Sequence, residues 1–173
     1  MLKYALIGAA AISFAGCATV DVAEYRSERP PLDIAEYFNG TVDGWGMFQD
    51  RSGKVVRRFT VRIEAKWEGN RGTLDEYFEF SDGERQNRVW TLVRDGDRFV
   101  GTAGDVVGPG QGVQQGNAFN MRYVLRVPWS GRTIDVDMDD WMWRIDDKTV
   151  LNRTAMSKFG FRVGEVTLSL RKQ

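Results

Sequence analysis

The sequence contains no histidine and only one cysteine among its 173 residues. The absence of histidine excludes Ser–His and Cys–His nucleophile pairs and histidine-based zinc sites. A single cysteine excludes an intramolecular disulfide and argues against a cysteine-based metal cluster. Basic and acidic residues are balanced at 24 each, so the chain lacks the basic excess typical of nucleic-acid-binding proteins. We therefore expect no metal, no cofactor and no nucleic-acid partner.

The N-terminal apolar run, residues 4–15, is too short to span a bilayer, which takes roughly 20 residues. Lys3 precedes it and small residues follow it, which is the layout of a secretory signal peptide. The sole cysteine, Cys17, ends the sequence FAGC, which resembles a lipobox although Phe14 stands where leucine is usual. In lipoproteins with this signal the cysteine is lipidated and the chain is cut just before it. The alternative is an ordinary signal peptide with a cysteine nearby by chance.

These features predict a signal peptide over residues 1–16 and a lipid anchor at Cys17. Stable anchoring takes two or more acyl chains, each contributing ~0.8 kcal/mol per buried CH₂. Ala18 follows the cysteine, which resembles the Gram-negative signal for export to the outer membrane. We expect a membrane-anchored lipoprotein on the periplasmic face of that membrane.

Residues 17–31 are mostly polar and end in Pro30-Pro31, which predicts a lipidated tether ahead of a domain over residues 32–173. Helical spacing of Leu32, Ala35 and Phe38 predicts a short helix at the start of this domain.

The remainder of the chain shows apolar and polar residues in alternation, for example from Phe59 to Trp67 and from Phe119 to Val127. Asp-Gly and Ser-Gly pairs separate these segments at hairpin spacing. No long helical pattern lies between them. The pattern predicts an all-β protein, an antiparallel up-and-down β-barrel of about eight to ten strands with a short N-terminal helix.

Seven motifs occur in order along residues 44–168: GWGMFQDRSGKVVRRF, GTLDEYFEFSDGE, RVWTL, GDVVG, GNAF, DDWMW and NRTAMSKFGFRVGEVTL. Together they resemble the DUF3833 family of bacterial lipoproteins, over most of residues 32–171. The resemblance implies a Gram-negative lipoprotein with a lipocalin-like barrel. It implies no activity, because the family has no assigned function.

Candidate ligand-binding residues come from the polar positions of these motifs. In DDWMW, Asp139 and Asp140 must face opposite sides of a strand, and Trp141 and Trp143 share a side with Asp139. One carboxylate could therefore sit inside an aromatic wall and bind a cationic or hydroxylated group. The alternative is a strand end whose aspartates bond to backbone amides. Asn117, in GNAF, joins these candidates.

Arg57 and Arg58 also face opposite ways, so one of them could enter the barrel. A buried arginine needs a carboxylate partner, and Glu76 or Asp105 could serve. This arginine either forms a structural ion pair or binds the carboxylate of a fatty acid. The glycine-rich segment 104–116 predicts a flexible loop at the barrel mouth or a lid over a cavity.

Three functions remain open from the sequence. The first is a lipid-anchored barrel that binds or carries an apolar ligand such as a fatty acid or lipid. The second is an enzyme acting on lipid through carboxylates such as Asp105, Asp139 or Asp140. The third is a structural or partner-binding lipoprotein with a filled barrel. A cavity of about 300 Å³ or more favours binding, and a solid core favours the third.

Overall fold

The computed structural model describes residues 20–173, which form a closed barrel of ten antiparallel strands. Each strand pairs with the next along the chain, and the first pairs with the last. The predicted up-and-down barrel is therefore confirmed. The strands are β1 (Gly40–Asp50), β2 (Val55–Glu68), β3 (Arg71–Phe80), β4 (Arg85–Asp95), β5 (Arg98–Thr102), β6 (Gly110–Gln115), β7 (Ala118–Trp129), β8 (Arg132–Arg144), β9 (Thr149–Lys158) and β10 (Phe161–Lys172).

The barrel interior is built by the period-two alternation of the strands. In β2, Phe59, Val61 and Ile63 are buried, while the residues between them are exposed. Tight turns join most strands, and Gly83 at the β3–β4 turn has a φ of 87°, which suits glycine. Because successive turns of an up-and-down barrel alternate between its ends, the β1–β2 and β3–β4 turns lie opposite the β2–β3 turn.

A one-turn helix, α1 (Ile34–Tyr37), closes one end of the barrel. Asp33 caps its N-terminus by accepting a hydrogen bond from Glu36 N at 3.0 Å. Ile34 and Tyr37 are almost fully buried, and the Tyr37 hydroxyl donates to Lys148 O in the β8–β9 turn at 2.9 Å. The buried amide of Gln114 accepts from Ile34 N at 3.1 Å. The plug is thus fixed to the wall by both apolar packing and hydrogen bonds.

Strand β6 lies within the glycine-rich segment that the sequence predicts to be a loop, so this part of the prediction is wrong. Gly110 and Gly112 alternate with Gln111 and Val113 and occupy the inward face. A Cβ atom at Gly112 would lie 2.6 Å from the Phe119 ring, so the neighbouring aromatic fills the space that a side chain would take. The inward residues are two glycines and the buried Gln114, and the strand therefore carries no apolar alternation in its sequence.

Residues 20–31, predicted to belong to a tether, lie against the barrel. A 3₁₀ turn, Val22–Tyr25, is capped by Asp21, and the Tyr25 ring packs at 5.8 Å from Trp141 and 6.3 Å from Trp143, centroid to centroid. The predicted signal peptide and Cys17 lie outside the described residues.

The barrel wall contains one gap in strand pairing, because β5 and β6 are shorter than their neighbours. Strand β4 pairs with β5 only over Thr91–Asp95, and β7 pairs with β6 only over Ala118–Arg122. The other parts of β4 and β7, residues 85–90 and 123–129, face each other without a strand between them. Residues 103–109 span this gap, joined to β7 by an isolated bridge between Val106 and Leu125.

Candidate functional site

A cavity of about 140 Å³ lies inside the barrel, between the α1 plug and the middle of the strands. Its walls are mainly aliphatic and aromatic, with three methionines from β7 and β8 on one side. Six lining residues are polar or ionisable: Glu76, Arg88, Tyr123, Asp140, Asn152 and Thr154. A large apolar lining with a few convergent polar groups is the usual character of a small-molecule site.

One group of polar residues lies where β7, β8 and β9 meet. Asp140 and Thr154 are directly paired across β8 and β9, and Asn152 donates a hydrogen bond to Asp140 Oδ1. Burial raises the pKa of Asp140 to about 6, although the Asn152 amide and the Thr154 and Tyr123 hydroxyls partly offset this effect. Burial also raises the pKa of Tyr123 well above 10, so its phenol remains a hydrogen-bond donor.

The second group is an ion-pair network on β3 and β4. Arg88 donates from Nε and Nη2 to Asp105, with a shortest distance of 2.8 Å, and its Nη1 lies 3.6 Å from Glu76 Oε2. Burial raises the pKa of Glu76 to about 7; Arg88 opposes this rise, while Asp140 and Asp105 add to it. Glu76 and Arg88 are cross-strand neighbours on the inward face.

Asp105 belongs to the segment 103–109 that covers the gap in the wall. Its backbone carbonyl accepts from Arg126 N at 2.8 Å, and Val107 N donates to Val124 O at 2.9 Å. The covering segment is thus hydrogen-bonded to β7 on one side of the gap, and the Arg88–Asp105 ion pair joins it to β4 on the other side. This arrangement matches the predicted lid over a cavity more closely than a free loop at the mouth.

Of the predicted ligand-binding residues, the structure brings Asp140 to the cavity and places Asp105 in the network behind Glu76. The assignment of Asp139, Trp141 and Trp143 to the inner face is wrong. Strand β8 pairs with β7 without a bulge, so the inward phase set by Val136 and Met138 continues through Asp140. The two tryptophans therefore lie outside, against Tyr25, and Asp139 accepts a hydrogen bond from Asn120 at 2.7 Å.

The predicted inward arginine is also corrected. Arg58 is exposed on the outer face. Arg57 lies at the barrel rim over the Phe80 ring, 3.6 Å from its centroid, and pairs with Asp82 at 2.8 Å. Neither lines the cavity. Asn117 lies in the β6–β7 turn, where its amide donates to Arg144 O at 3.3 Å.

The buried arginine is Arg88, and its partners are the two carboxylates, Glu76 and Asp105, that the sequence named for such a residue. The sequence carried a signal for it, because Arg88 has the same parity as the buried Trp90 and Leu92. Asn152, Thr154 and Tyr123 were missed as cavity residues. Asn152 and Thr154 alternate with exposed positions of β9, which places them on the inward face. Because both are polar, this alternation was not visible as an apolar pattern in the sequence.

Among the described residues, no helix is long and apolar enough to cross a membrane, and no cluster of three or more carboxylate, cysteine or histidine residues could hold a metal ion.

The sequence profile of a family described as "Protein of unknown function (DUF3833)" matches residues 11–172. The chain belongs to the DUF3833 family. No curated protein matches this DUF3833 protein in sequence. Its barrel resembles that of a protein with unknown function from the DUF3598 family of Nostoc punctiforme PCC 73102, with a TM-score of 0.61 and 15% identity. That likeness covers 84% of the DUF3833 chain and 51% of the other, so the chain spans about half that protein's length.

The DUF3833 barrel also resembles the S-type phycobiliprotein lyase CPES from Guillardia theta, with a TM-score of 0.57 and 10% identity. The likeness covers 80% of the DUF3833 chain and 90% of the lyase. At these identities both comparisons establish the barrel fold alone.

Proposed function

We propose that this DUF3833 protein is a lipid-anchored lipoprotein whose barrel binds one apolar ligand, such as the end of a lipid chain. The observation that carries the binding half of the proposal is the 140 Å³ apolar cavity with its polar groups. It is smaller than the 300 Å³ at which a drug-sized ligand is enclosed. An apolar cavity of about 150 Å³ nevertheless accommodates a benzene ring.

Longer ligands require movement of the lining, and the composition of the wall favours such movement. Met121, Met138 and Met142 line one side. Methionine has three rotatable bonds and adapts to irregular spaces. A fatty-acid carboxylate held by Arg57 or Arg58 is not supported, because both arginines lie outside the cavity. The proposal therefore keeps an apolar ligand and replaces the arginine contact with the polar groups of the interior.

The binding test uses the full chain freed of endogenous lipid. It is titrated with toluene, an apolar ring that carries no polar head group. Trp90 lines the cavity and is 7% exposed, so its fluorescence should change saturably. Trp90→Phe should remove this signal while calorimetry still detects binding.

Leu168→Phe fills space in the cavity and should weaken toluene binding at least tenfold. Ser169→Phe, one residue along β10 on the outer face, is the matched control and should bind as the wild type does. A flat calorimetric titration of folded wild-type protein would end the ligand-binding proposal and leave the filled-barrel lipoprotein. Mass spectrometry of lipids co-purified with wild type, but reduced with Leu168→Phe, would identify a natural ligand.

The anchoring half of the proposal is supported by the sole cysteine at the lipobox-like FAGC sequence. Cys17→Ser should prevent lipidation and move the protein from the membrane fraction to the soluble fraction. If the variant still sediments with membranes after a high-salt wash, the proposed lipid anchor at Cys17 is wrong. This outcome is independent of whether the barrel binds a ligand.

A second candidate function, acid–base catalysis on a lipid, is favoured by Glu76 and Asp140 lining one cavity. Their pKa values of about 7 and about 6 suit proton transfer near neutral pH. Wild-type protein should then hydrolyse short-chain esters, and Asp140→Asn should lose this activity while still binding toluene. No ester hydrolysis by the wild type, or full activity in Asp140→Asn, would eliminate this candidate.

A further inference from the structure

The cavity contains more acidic groups than basic groups to neutralise them. Glu76 and Asp140 line it, Asp105 lies just behind, and Arg88 is the one cation among its lining residues. Arg88 already donates three hydrogen bonds to Asp105, between 2.8 and 3.1 Å. Its charge is therefore committed to the segment that covers the wall gap.

Glu76 is the carboxylate with unused capacity. Arg88 approaches it only to 3.6 Å, and none of the residues from 20 to 173 donates a hydrogen bond to its side chain. An ionised carboxylate can accept about four hydrogen bonds. The 14% of the Glu76 side chain that remains accessible borders the cavity, because the residue lies on the inward face of β3. Its oxygens are thus available to accept hydrogen bonds from a donor group placed in the cavity.

A negatively charged head group would meet the opposite situation. It would approach Glu76 and Asp140 in a dry interior, where repulsion between like charges is stronger than in water. A protonated amine would neutralise one of these charges and donate up to three hydrogen bonds, as a lysine ammonium does. A hydroxyl would donate one. The expected order of affinity is therefore amine, then alcohol, then carboxylate.

We infer that the barrel is selective for an apolar molecule carrying a primary amine, whose ammonium group is bound between Glu76 and Asp140. This inference rests on the proposed binding of an apolar ligand and adds the chemical class of its head group. The sequence suggested that one carboxylate of the DDWMW motif could bind a cationic group. The inference gives this role to Asp140 and adds Glu76 as a second carboxylate that contacts the ammonium.

The probes are benzylamine, benzyl alcohol and benzoate, which share a ring suited to a cavity of this size. Their affinities for the full chain are measured at pH 8 by ligand-detected NMR, with toluene as the probe without a head group. Benzylamine should bind at least tenfold more tightly than benzoate, with benzyl alcohol between them. Benzoate or benzyl alcohol binding as tightly as benzylamine would overturn the inference while leaving the proposed function intact. If no probe binds, including toluene, the proposed function itself fails.

Glu76→Gln keeps the shape of the side chain and removes its charge. It should lower the benzylamine-to-benzyl alcohol affinity ratio at least fivefold. Glu79→Gln, on the outer face of the same strand and exposed, should leave the ratio unchanged. An unchanged ratio in Glu76→Gln would overturn the role of Glu76.

A pH titration of the wild type tests the same point without any variant. The groups facing Glu76 and Asp140 are Arg88 on β4, Asp105 in the covering segment and Tyr123 on β7. Asp75 and Asp139 act on them from neighbouring strand positions. Benzylamine stays protonated from pH 5 to 8, as lysine does. Its advantage over benzyl alcohol should shrink at pH 5, where both cavity carboxylates gain protons. An advantage that is constant over this range would contradict the proposed contact.

Discussion

Glu76→Gln should remove a pH-dependent loss of stability from the wild-type barrel. Burial raises the pKa of Glu76 from 4.5 to about 7 in the folded protein. The folded state therefore binds more protons than the unfolded state between these two values, and stability falls as the pH rises through this window. Below pH 4.5 the group is protonated in both states and contributes no penalty; above pH 7 the penalty is complete.

The size of the effect follows from the two pKa values. Each pKa unit corresponds to about 1.4 kcal/mol, so the rise from 4.5 to about 7 gives a penalty of about 3 kcal/mol. Glutamine has no charge to bury and the wild-type carboxylate accepts no hydrogen bond that it could lose. Glu76→Gln should thus match the wild type near pH 4.5 and exceed it by up to about 3 kcal/mol at pH 8.

Urea unfolding of both full-length proteins at several pH values between 4.5 and 8 measures this difference. Glu79→Gln, on the outer face, is the matched control and should show no such growth in stability with pH. Burial also raises the pKa of Asp140, so the Glu76→Gln variant should itself retain a weaker pH dependence of the same sign. A difference between Glu76→Gln and wild type that does not grow with pH would refute the reasoning.

Three further outcomes follow from individual contacts. Tyr37→Phe loses a hydrogen bond of 2.9 Å to Lys148 O in the β8–β9 turn. It should lower the free energy of unfolding, measured in urea, by about 1 kcal/mol. No loss would mean that packing alone holds helix α1 in place. Gly46→Ala places a Cβ atom 2.3 Å from the Phe59 ring and should cost about 1–3 kcal/mol by the same measurement; a neutral result would show that the ring moves freely. Asp105→Asn weakens the ion pair that holds residues 103–109, so deuterium exchange should accelerate in that segment alone, and unchanged exchange would show that the ion pair does not fasten it.

The barrel was predictable because most strands show an alternation of apolar and polar residues in the sequence, as in residues 59–67 and 119–127. Strand β6 was not, since Gly110 and Gly112 occupy its inward positions and leave the side-chain space to Met121 and Phe119. Alternation records which positions carry apolar groups, and it fails where a neighbouring strand fills the interior instead.

The cavity was only partly predictable for a related reason. The acidic pair at 139–140 identified the correct strand. Which of the two carboxylates points inward depends on the continuous pairing of β8 with β7. The neighbouring tryptophans suggested Asp139, but they lie on the outer face, where Tyr25 covers them. Glu76 and Arg88 sit on two strands that become neighbours only through the β3–β4 hairpin. Their inward orientation could be derived from parity with Leu74 and Trp90, whereas the free acceptor on Glu76 depends on distances that only the folded barrel defines.

The short strands β5 and β6 have a kinetic consequence for anything bound inside. Elsewhere each strand pairs directly with both of its neighbours, so opening the wall there would require breaking a strand ladder. Across the gap, displacement of residues 103–109 breaks one ion pair and the two backbone hydrogen bonds that form the isolated bridge to β7. Local openings of this kind require much less free energy than global unfolding. If the barrel binds a ligand as proposed, we expect the release of this segment, not global unfolding, to set how long that ligand stays bound.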